Sequence, residues 1–455
     1  MIRLLKHIVF WLALSAMTVS HAQRTSLTID DLDDEQLVSV IIFIEDEKLM
    51  DTAIKRIDQN WKQEFIPMML ENFMFSQSRY MRTKIMNLLQ EKTEQKFRNN
   101  VNDWYHWLWN EPTYANETYD DFKAFLYKNI DPRFEKYFSG RGETSTIRLD
   151  EIRWGGVQQD GIPPLRNPDM VGADEATYMQ DDNIVFGIEN NGDARAYPKR
   201  ILAWHEMFVD EIGGEKISGV YCTLCGTVIP YKSGDYNLGT SGFLYRSNKL
   251  MYDRRTQSLW NTFMGEPVLG PLVGQGIRLE YVGVVTTTWG EWKKRHPDTK
   301  VLSLDTGYTR DYDEGEAYKD YFDTDELMFS TPFSDDRLKN KQEILALRFP
   351  ASPDEQLAID TEFLNTHPVF MGKIGLQNFV VLTDSSGANR VYDSAGLIFT
   401  DYDQDITVTD RNGETWSITE DMMTSSSGKT LERLPAHRAF WFGWQAAFPE
   451  TKLIK

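Results

Sequence analysis

The chain has 455 residues, 41% hydrophobic and 13% aromatic, with 49 basic against 69 acidic side chains and a net charge of −20. That length exceeds one ordinary hydrophobic core and points to two or three domains. The charge repels phosphate backbones and anionic lipid headgroups, which argues against nucleic acid and membrane surfaces as partners. Two cysteines are too few for a disulfide-stapled fold, so stability must come from packed cores.

At the N-terminus, Arg3 and Lys6 give a basic start. Ile8 to Val19 form an apolar stretch broken by Ser15 and Thr18, and Ser20-His21-Ala22 offers small residues for cleavage. Residues 1–22 therefore read as a secretory signal peptide. The apolar stretch is shorter than the roughly 20 residues of a comfortable span. No cysteine follows the cleavage site, and no later segment is apolar enough to cross a bilayer. The expectation is an exported chain, periplasmic or extracellular, with no integral membrane span after cleavage.

Residues 23–144 carry helical periodicity. Leu37, Val40, Ile41 and Ile44 recur at helical spacing, as do Leu49, Ala53, Ile54 and Ile57. Asp33 or Asp34 can cap the first helix, and two more helices are expected around Phe65 to Phe75 and Met81 to Leu89. Such short helices suggest a bundle or a HEAT-like stack. The aromatic patch from Trp104 to Trp109, followed by Phe122, Phe125, Phe134, Tyr137 and Phe138, is expected to be buried. His106 within it is expected to be packed or capping.

From about residue 145, short β-branched runs alternate with Gly, Asp and Asn turns, as at Ile184 to Ile188, Ile217 to Tyr221, Tyr281 to Val285 and Phe379 to Leu382. This is the pattern of mainly antiparallel strands. The pattern is also duplicated. Trp289-Gly290-Glu291-Trp292, followed by Pro297, Thr299, Lys300 and Leu302, is matched at a constant offset by Trp441-Phe442-Gly443-Trp444 and Pro449, Thr451, Lys452 and Ile454. Asp253-Arg254 leading to Trp260 is echoed by Asp410-Arg411 leading to Trp416. The expected fold class is α+β: a helical region, then two related β lobes over residues 145–304 and 341–455, the second a degenerate copy. The acidic, tyrosine-rich stretch 305–340 between them reads as a solvated linker. Its Asp311-Tyr312-Asp313-Glu314-Gly315-Glu316 lacks EF-hand spacing.

The concentrated chemistry is Cys222-Thr223-Leu224-Cys225-Gly226. Two cysteines this close restrict little chain entropy as a staple. At the matching positions the second copy has Thr383 and Ser386, so the fold does not need the thiols. They read as a local site in one lobe.

Several strings in this chain resemble a known family: Asp160-Gly161-Ile162-Pro163, Ala196-Tyr197-Pro198, Trp204-His205-Glu206, Tyr221-Cys222-Thr223-Leu224-Cys225-Gly226-Thr227, Met251-Tyr252-Asp253-Arg254, and the closing Phe440-Trp441-Phe442-Gly443-Trp444. Together, over about residues 100–455, they resemble the bacterial exported proteins grouped as domain of unknown function 3179. Members usually carry proline where Thr223 stands. The resemblance implies kinship and no particular activity.

Three functions fit the cysteine pair and its surroundings. In the first, the thiols hold a soft metal. Two thiolates leave a tetrahedral site incomplete, and His205 and Met251 are the candidates to complete it. Cys222, Cys225, His205 and Met251 form a set suited to copper, or to zinc if Glu206 or water replaces one ligand. In the second, the pair is a thiol–disulfide redox centre. Its place between two strand-like runs points to a β-turn, unlike the helix start of thioredoxin-like proteins, and Gly226 stands where a c-type haem would need histidine. In the third, the chain binds an extracytoplasmic ligand or protein without catalysis, with Trp154, Tyr245, Arg246 and Trp260 lining a cleft. No serine-nucleophile elbow, zinc-protease motif, phosphate loop or dinucleotide fingerprint occurs, and the sequence leaves open whether the chain is an enzyme.

Overall fold

The structure, a computed structural model, describes residues 28–114 and 118–455; the signal-like segment lies outside the described residues. No helix among the described residues is long and apolar enough to cross a membrane. The chain divides into two compact units. One comprises the described residues up to Glu143 with Arg148–Asp150, the other Thr144–Ile147 with Glu151–Lys455.

The first unit is helical. It contains α1 (Asp34–Val40), α2 (Glu47–Gln59), α3 (Phe65–Phe75), α4 (Arg79–Thr93), α5 (Val101–Asn110) and α6 (Tyr119–Tyr127). Four of these helices start where a short polar side chain caps them. Asp33 accepts the Gln36 N–H at 2.8 Å, and Asp46, Ser78 and Asn100 do the same for α2, α4 and α5. Leu37, Ala53, Ile57, Phe65, Ile85, Leu89, Trp104 and Leu108 point into one shared core. Inside the unit, the Lys123 ammonium lies 2.6 Å from Glu71 Oε1, which also accepts the Tyr119 hydroxyl at 2.7 Å. One expectation is corrected here: His106 is exposed. Trp104, Tyr105, Leu108 and Trp109 take the buried side of α5, and the helical repeat turns His106 outward.

The second unit is built on two related β lobes, so the chain is α+β as expected. The first lobe uses β1 (Ile184–Asn190), β2 (Asp193–Pro198), α7 (Lys199–His205), β3 (Met207–Ile212), β4 (Glu215–Cys222), β5 (Thr227–Lys232), β6 (Leu238–Tyr245), β7 (Asn248–Asp253), β8 (Val285–Thr288), α8 (Trp289–Arg295) and β9 (Lys300–Leu302). The second uses β10 (Glu343–Arg348), β11 (Gln356–Asp360), α9 (Thr361–Thr366), β12 (Val369–Ile374), β13 (Gln377–Thr383), β14 (Asn389–Asp393), β15 (Ala436–Phe440), α10 (Trp441–Ala447) and β16 (Lys452–Ile454).

Both lobes build the same sheet. In the first the strands run β8-β1-β2-β9, in the second β15-β10-β11-β16. Among these four strands each has two antiparallel pairings and one parallel pairing, β9 with β2 and β16 with β11, and in the first lobe Met170–Gly172 adds a fifth strand antiparallel to β9. The Trp-x-x-Trp strings begin α8 and α10, and their second tryptophans have the same partner. Trp292 Nε1 donates to Thr299 Oγ1 at 2.9 Å, and Trp444 Nε1 to Thr451 Oγ1 at 3.0 Å. Trp292 also lies across β1, where a Cβ on Gly187 would sit 2.2 Å from its ring. Thr299→Val and Thr451→Val each orphan a buried indole N–H. Each is expected to cost about 1–3 kcal/mol, read as a lowered urea midpoint.

His437 on β15 joins the two lobes. Its Nδ1 lies 2.9 Å from Thr227 Oγ1 of β5, and its ring packs against Phe263 and Trp444. Burial pushes its pKa down to about 4 from 6.5. A histidine with a lowered folded pKa is neutral in the fold, so its contribution is fully present above the unfolded pKa. That contribution is lost as pH falls from about 6.5 to about 4, amounting to roughly 3 kcal/mol over the window. Urea titrations across this range are expected to show a steeper loss of stability for the wild type than for His437→Gln.

Candidate functional site

Cys222 is the last residue of β4 and pairs with Thr227, the first of β5, so residues 223–226 form a hairpin turn. The Cys225 N–H donates to the Cys222 carbonyl at 3.1 Å, and the Gly226 N–H to that of Thr223 at 3.3 Å. Glycine is required at 226: its φ is +59°, and a Cβ would meet the Phe440 ring at 2.8 Å. In the second lobe the matching turn, residues 384–388, follows Thr383. There the Asp384 carboxylate accepts the Ser386 and Ala388 N–H groups and pairs with Arg390 at 2.8 Å. The turn of one copy holds its thiols at Cys222 and Cys225, and that of the other has Thr383 and Ser386 there and is organised by an ion-paired carboxylate.

Both cysteines are free thiols, 1% and 0% exposed. The turn between β6 and β7 holds them from the side. Its residues Arg246 and Ser247 both have positive φ, 49° and 66°, as a two-residue type I′ hairpin demands. Neither is glycine, so this turn carries backbone strain. It is fastened by Arg246 to Glu151 at 2.5 Å and by the Ser247 hydroxyl to the Phe329 carbonyl at 3.0 Å. Asn248 follows and donates its Nδ2 to Cys225 Sγ at 3.4 Å, while the Cys225 thiol lies 3.5 Å from the Ser247 carbonyl. On the far side, α10 presses its backbone on the same sulfur: a Cβ on Gly443 would lie 3.0 Å from Cys225 Sγ.

Lys249 provides the charge beside the thiols. Its ammonium lies 2.6 Å from Glu206 Oε2 and donates to the Glu206 and Tyr221 carbonyls at 3.0 and 3.1 Å. Tyr318 donates to the other Glu206 oxygen at 3.1 Å. Lys249 and Glu206 are 5% and 7% exposed. Burial pushes the Cys222 thiol up. The Cys225 thiol, the Lys249 N–H and the Lys249 charge outweigh burial and hold Cys222 below its ordinary value. Burial and the neighbouring Cys222 sulfur push Cys225 well above its own.

The connector between the lobes reaches this site. Its acidic side chains are mostly exposed, but Ala317 and Tyr321 are buried, and the Tyr321 hydroxyl donates to the Leu224 carbonyl at 2.8 Å. Within the turn, the Thr223 hydroxyl is buried with no hydrogen-bond partner among the described residues. Such an orphan costs about 1–3 kcal/mol.

The other residues singled out from the sequence are placed as follows. Met251 on β7 is fully buried in the same apolar cluster as Cys222 and Cys225. His205 ends α7, fully buried, with Nδ1 2.9 Å from the Pro163 carbonyl and Nε2 2.6 Å from the Tyr312 hydroxyl. Both ring nitrogens are therefore engaged, and burial lowers its pKa. Glu206 pairs with Lys249. Among the described residues, no group of three or more His, Cys, Asp or Glu side chains is placed to hold a metal ion. Trp154 Nε1 donates to the Val157 carbonyl, and Trp260 is fully buried in the core. Sequence reasoning missed Asn248 and Lys249. The available sign was a lysine inside a strand, just before the apolar Leu250-Met251-Tyr252.

A family model described as a protein of unknown function (DUF3179) matches residues 159–451. No curated protein and no solved structure matches the chain.

Proposed function

The chain belongs to the DUF3179 family, and we propose that its first β lobe holds a thiol–disulfide redox centre formed by Cys222 and Cys225. The observation that carries this reading is the split between two adjacent free thiols. One is held toward the thiolate by Lys249 and its neighbour, the other kept protonated. A low-pKa sulfur is the nucleophile and a protonated one beside it the resolving partner. The two thiols give up two electrons and two protons to a disulfide or peroxide oxidant and form one S–S bond; a thiol reductant reverses the step. An exported location, as the N-terminal residues suggest, would expose the pair to oxidants.

The test is oxidation of the reduced full chain to its end point with hydrogen peroxide and, separately, with glutathione disulfide, with free thiols counted. Both thiols are expected to disappear together in one two-electron step with at least one of the two oxidants. Thiols that stay reduced with both would overturn the reading. Metal analysis separates the alternative. One equivalent of copper or zinc in the wild type, absent from Cys222→Ser/Cys225→Ser, would favour a soft-metal site in its place. The buried cluster shared by Met251 and both sulfurs supports that second reading, whereas His205 would first have to leave Tyr312.

A further inference from the structure

We propose that the oxidant this dithiol accepts is a small hydroperoxide and not a bulky disulfide, with the Thr223 hydroxyl positioning it. The inference rests on the redox reading above and adds the class of substrate. Attack on a disulfide requires the incoming sulfur, with the chain it carries, to reach the attacking sulfur directly. Here the approach is closed on several sides. The Phe440 ring lies against Gly226, the Gly443 backbone lies against Cys225 Sγ, Tyr321 binds the Leu224 carbonyl, and the strained Arg246-Ser247 turn is fastened to Glu151 and Phe329. With the sulfurs 1% and 0% exposed, a tripeptide or protein disulfide has no room, while a hydroperoxide is about the size of two water molecules.

The second observation is Thr223. It adjoins Cys222 in the turn, is 1% exposed, and its hydroxyl has no partner among the described residues. A buried hydroxyl left unsatisfied in a folded protein calls for an occupant, a bound water or a ligand. A hydroxyl both donates and accepts, which matches the O–H and the bare oxygen of a hydroperoxide.

The step balances. The Cys222 thiolate attacks the terminal oxygen of ROOH and the O–O bond breaks. This leaves Cys222–S–OH and an alkoxide or hydroxide that takes up a proton. The Cys225 sulfur then gives up its proton and attacks the Cys222 sulfur, forming the S–S bond and expelling the oxygen as water. Overall two thiols and one ROOH become one disulfide, one ROH and one water.

The test mixes the reduced full chain with hydrogen peroxide and, separately, with glutathione disulfide at equal concentration. Peroxide is expected to close the disulfide about 10-fold or more faster, and Cys225→Ser is expected to give a dimedone adduct on Cys222 by mass spectrometry. Thr223→Val is expected to slow the peroxide reaction about 10-fold while leaving the equilibrium potential of the pair unchanged, with Thr223→Ser restoring the rate. Glutathione disulfide reacting as fast as peroxide would overturn this inference and leave the redox reading standing. Failure of both oxidants to close the bond would remove the redox reading itself. An unchanged peroxide rate in Thr223→Val would overturn the role of Thr223.

Discussion

Lys249→Met is expected to destabilise the β unit by about 3–5 kcal/mol, the cost of leaving one partner of a buried ion pair alone. Lys249 is 5% exposed, and its ammonium serves the Glu206 carboxylate and two backbone carbonyls. Methionine fills the volume but donates nothing, so the Glu206 carboxylate keeps only the Tyr318 hydroxyl among its side-chain partners and stays buried with its charge. Denaturant titration of Lys249→Met, Glu206→Gln and the double variant checks this. The double variant is expected to recover part of the loss, because no charge is then buried unpaired; strict additivity would show that the pair is not coupled. A second effect follows from the same charge. Without the Lys249 ammonium the Cys222 thiol rises toward its ordinary value, so alkylation near neutral pH should slow in Lys249→Met.

Cys222 in Cys225→Ser is expected to react with iodoacetamide about 10-fold or more faster than Cys225 in Cys222→Ser, since each pKa unit changes the thiolate fraction about tenfold. In Cys225→Ser the introduced hydroxyl can donate to Cys222 in place of the Cys225 thiol, and the Lys249 N–H and ammonium remain, while in Cys222→Ser Cys225 remains buried, with only the Asn248 amide favouring its thiolate. Raising the pH should accelerate Cys225 more than Cys222, because the thiol with the higher pKa gains thiolate over a later range. Rates that coincide at every pH would sink the assignment of Cys222 as the nucleophile. Packing such as that of Gly443 on Cys225 limits access without depending on pH, so the change of the rate ratio with pH is the quantity to read.

Features set by near neighbours were legible in the residues. Asp33 could be read as a helix cap because its partner, Gln36, is three positions away. The strand–turn–strand around the cysteines could be read from β-branched runs on either side of Gly226. The two Trp-x-x-Trp turns declared the second copy because the same tryptophan–threonine bond recurs in each. His106 was misplaced because it sits among aromatic residues in sequence but on the other side of the helix.

The sequence by itself determined that this is an α+β chain with two related β lobes and a thiol pair in only one of them. Those properties follow from local periodicity and from comparing one stretch of chain with another. The tertiary structure decided what surrounds the thiols. The packing of one sheet beside another brings Lys249 to Glu206, the connector brings Tyr312 to His205 and Tyr321 to the cysteine turn, and α10 brings Gly443 against Cys225. Each of these partners is distant in sequence. Their meeting depends on sheet register and connector path, which no local pattern encodes.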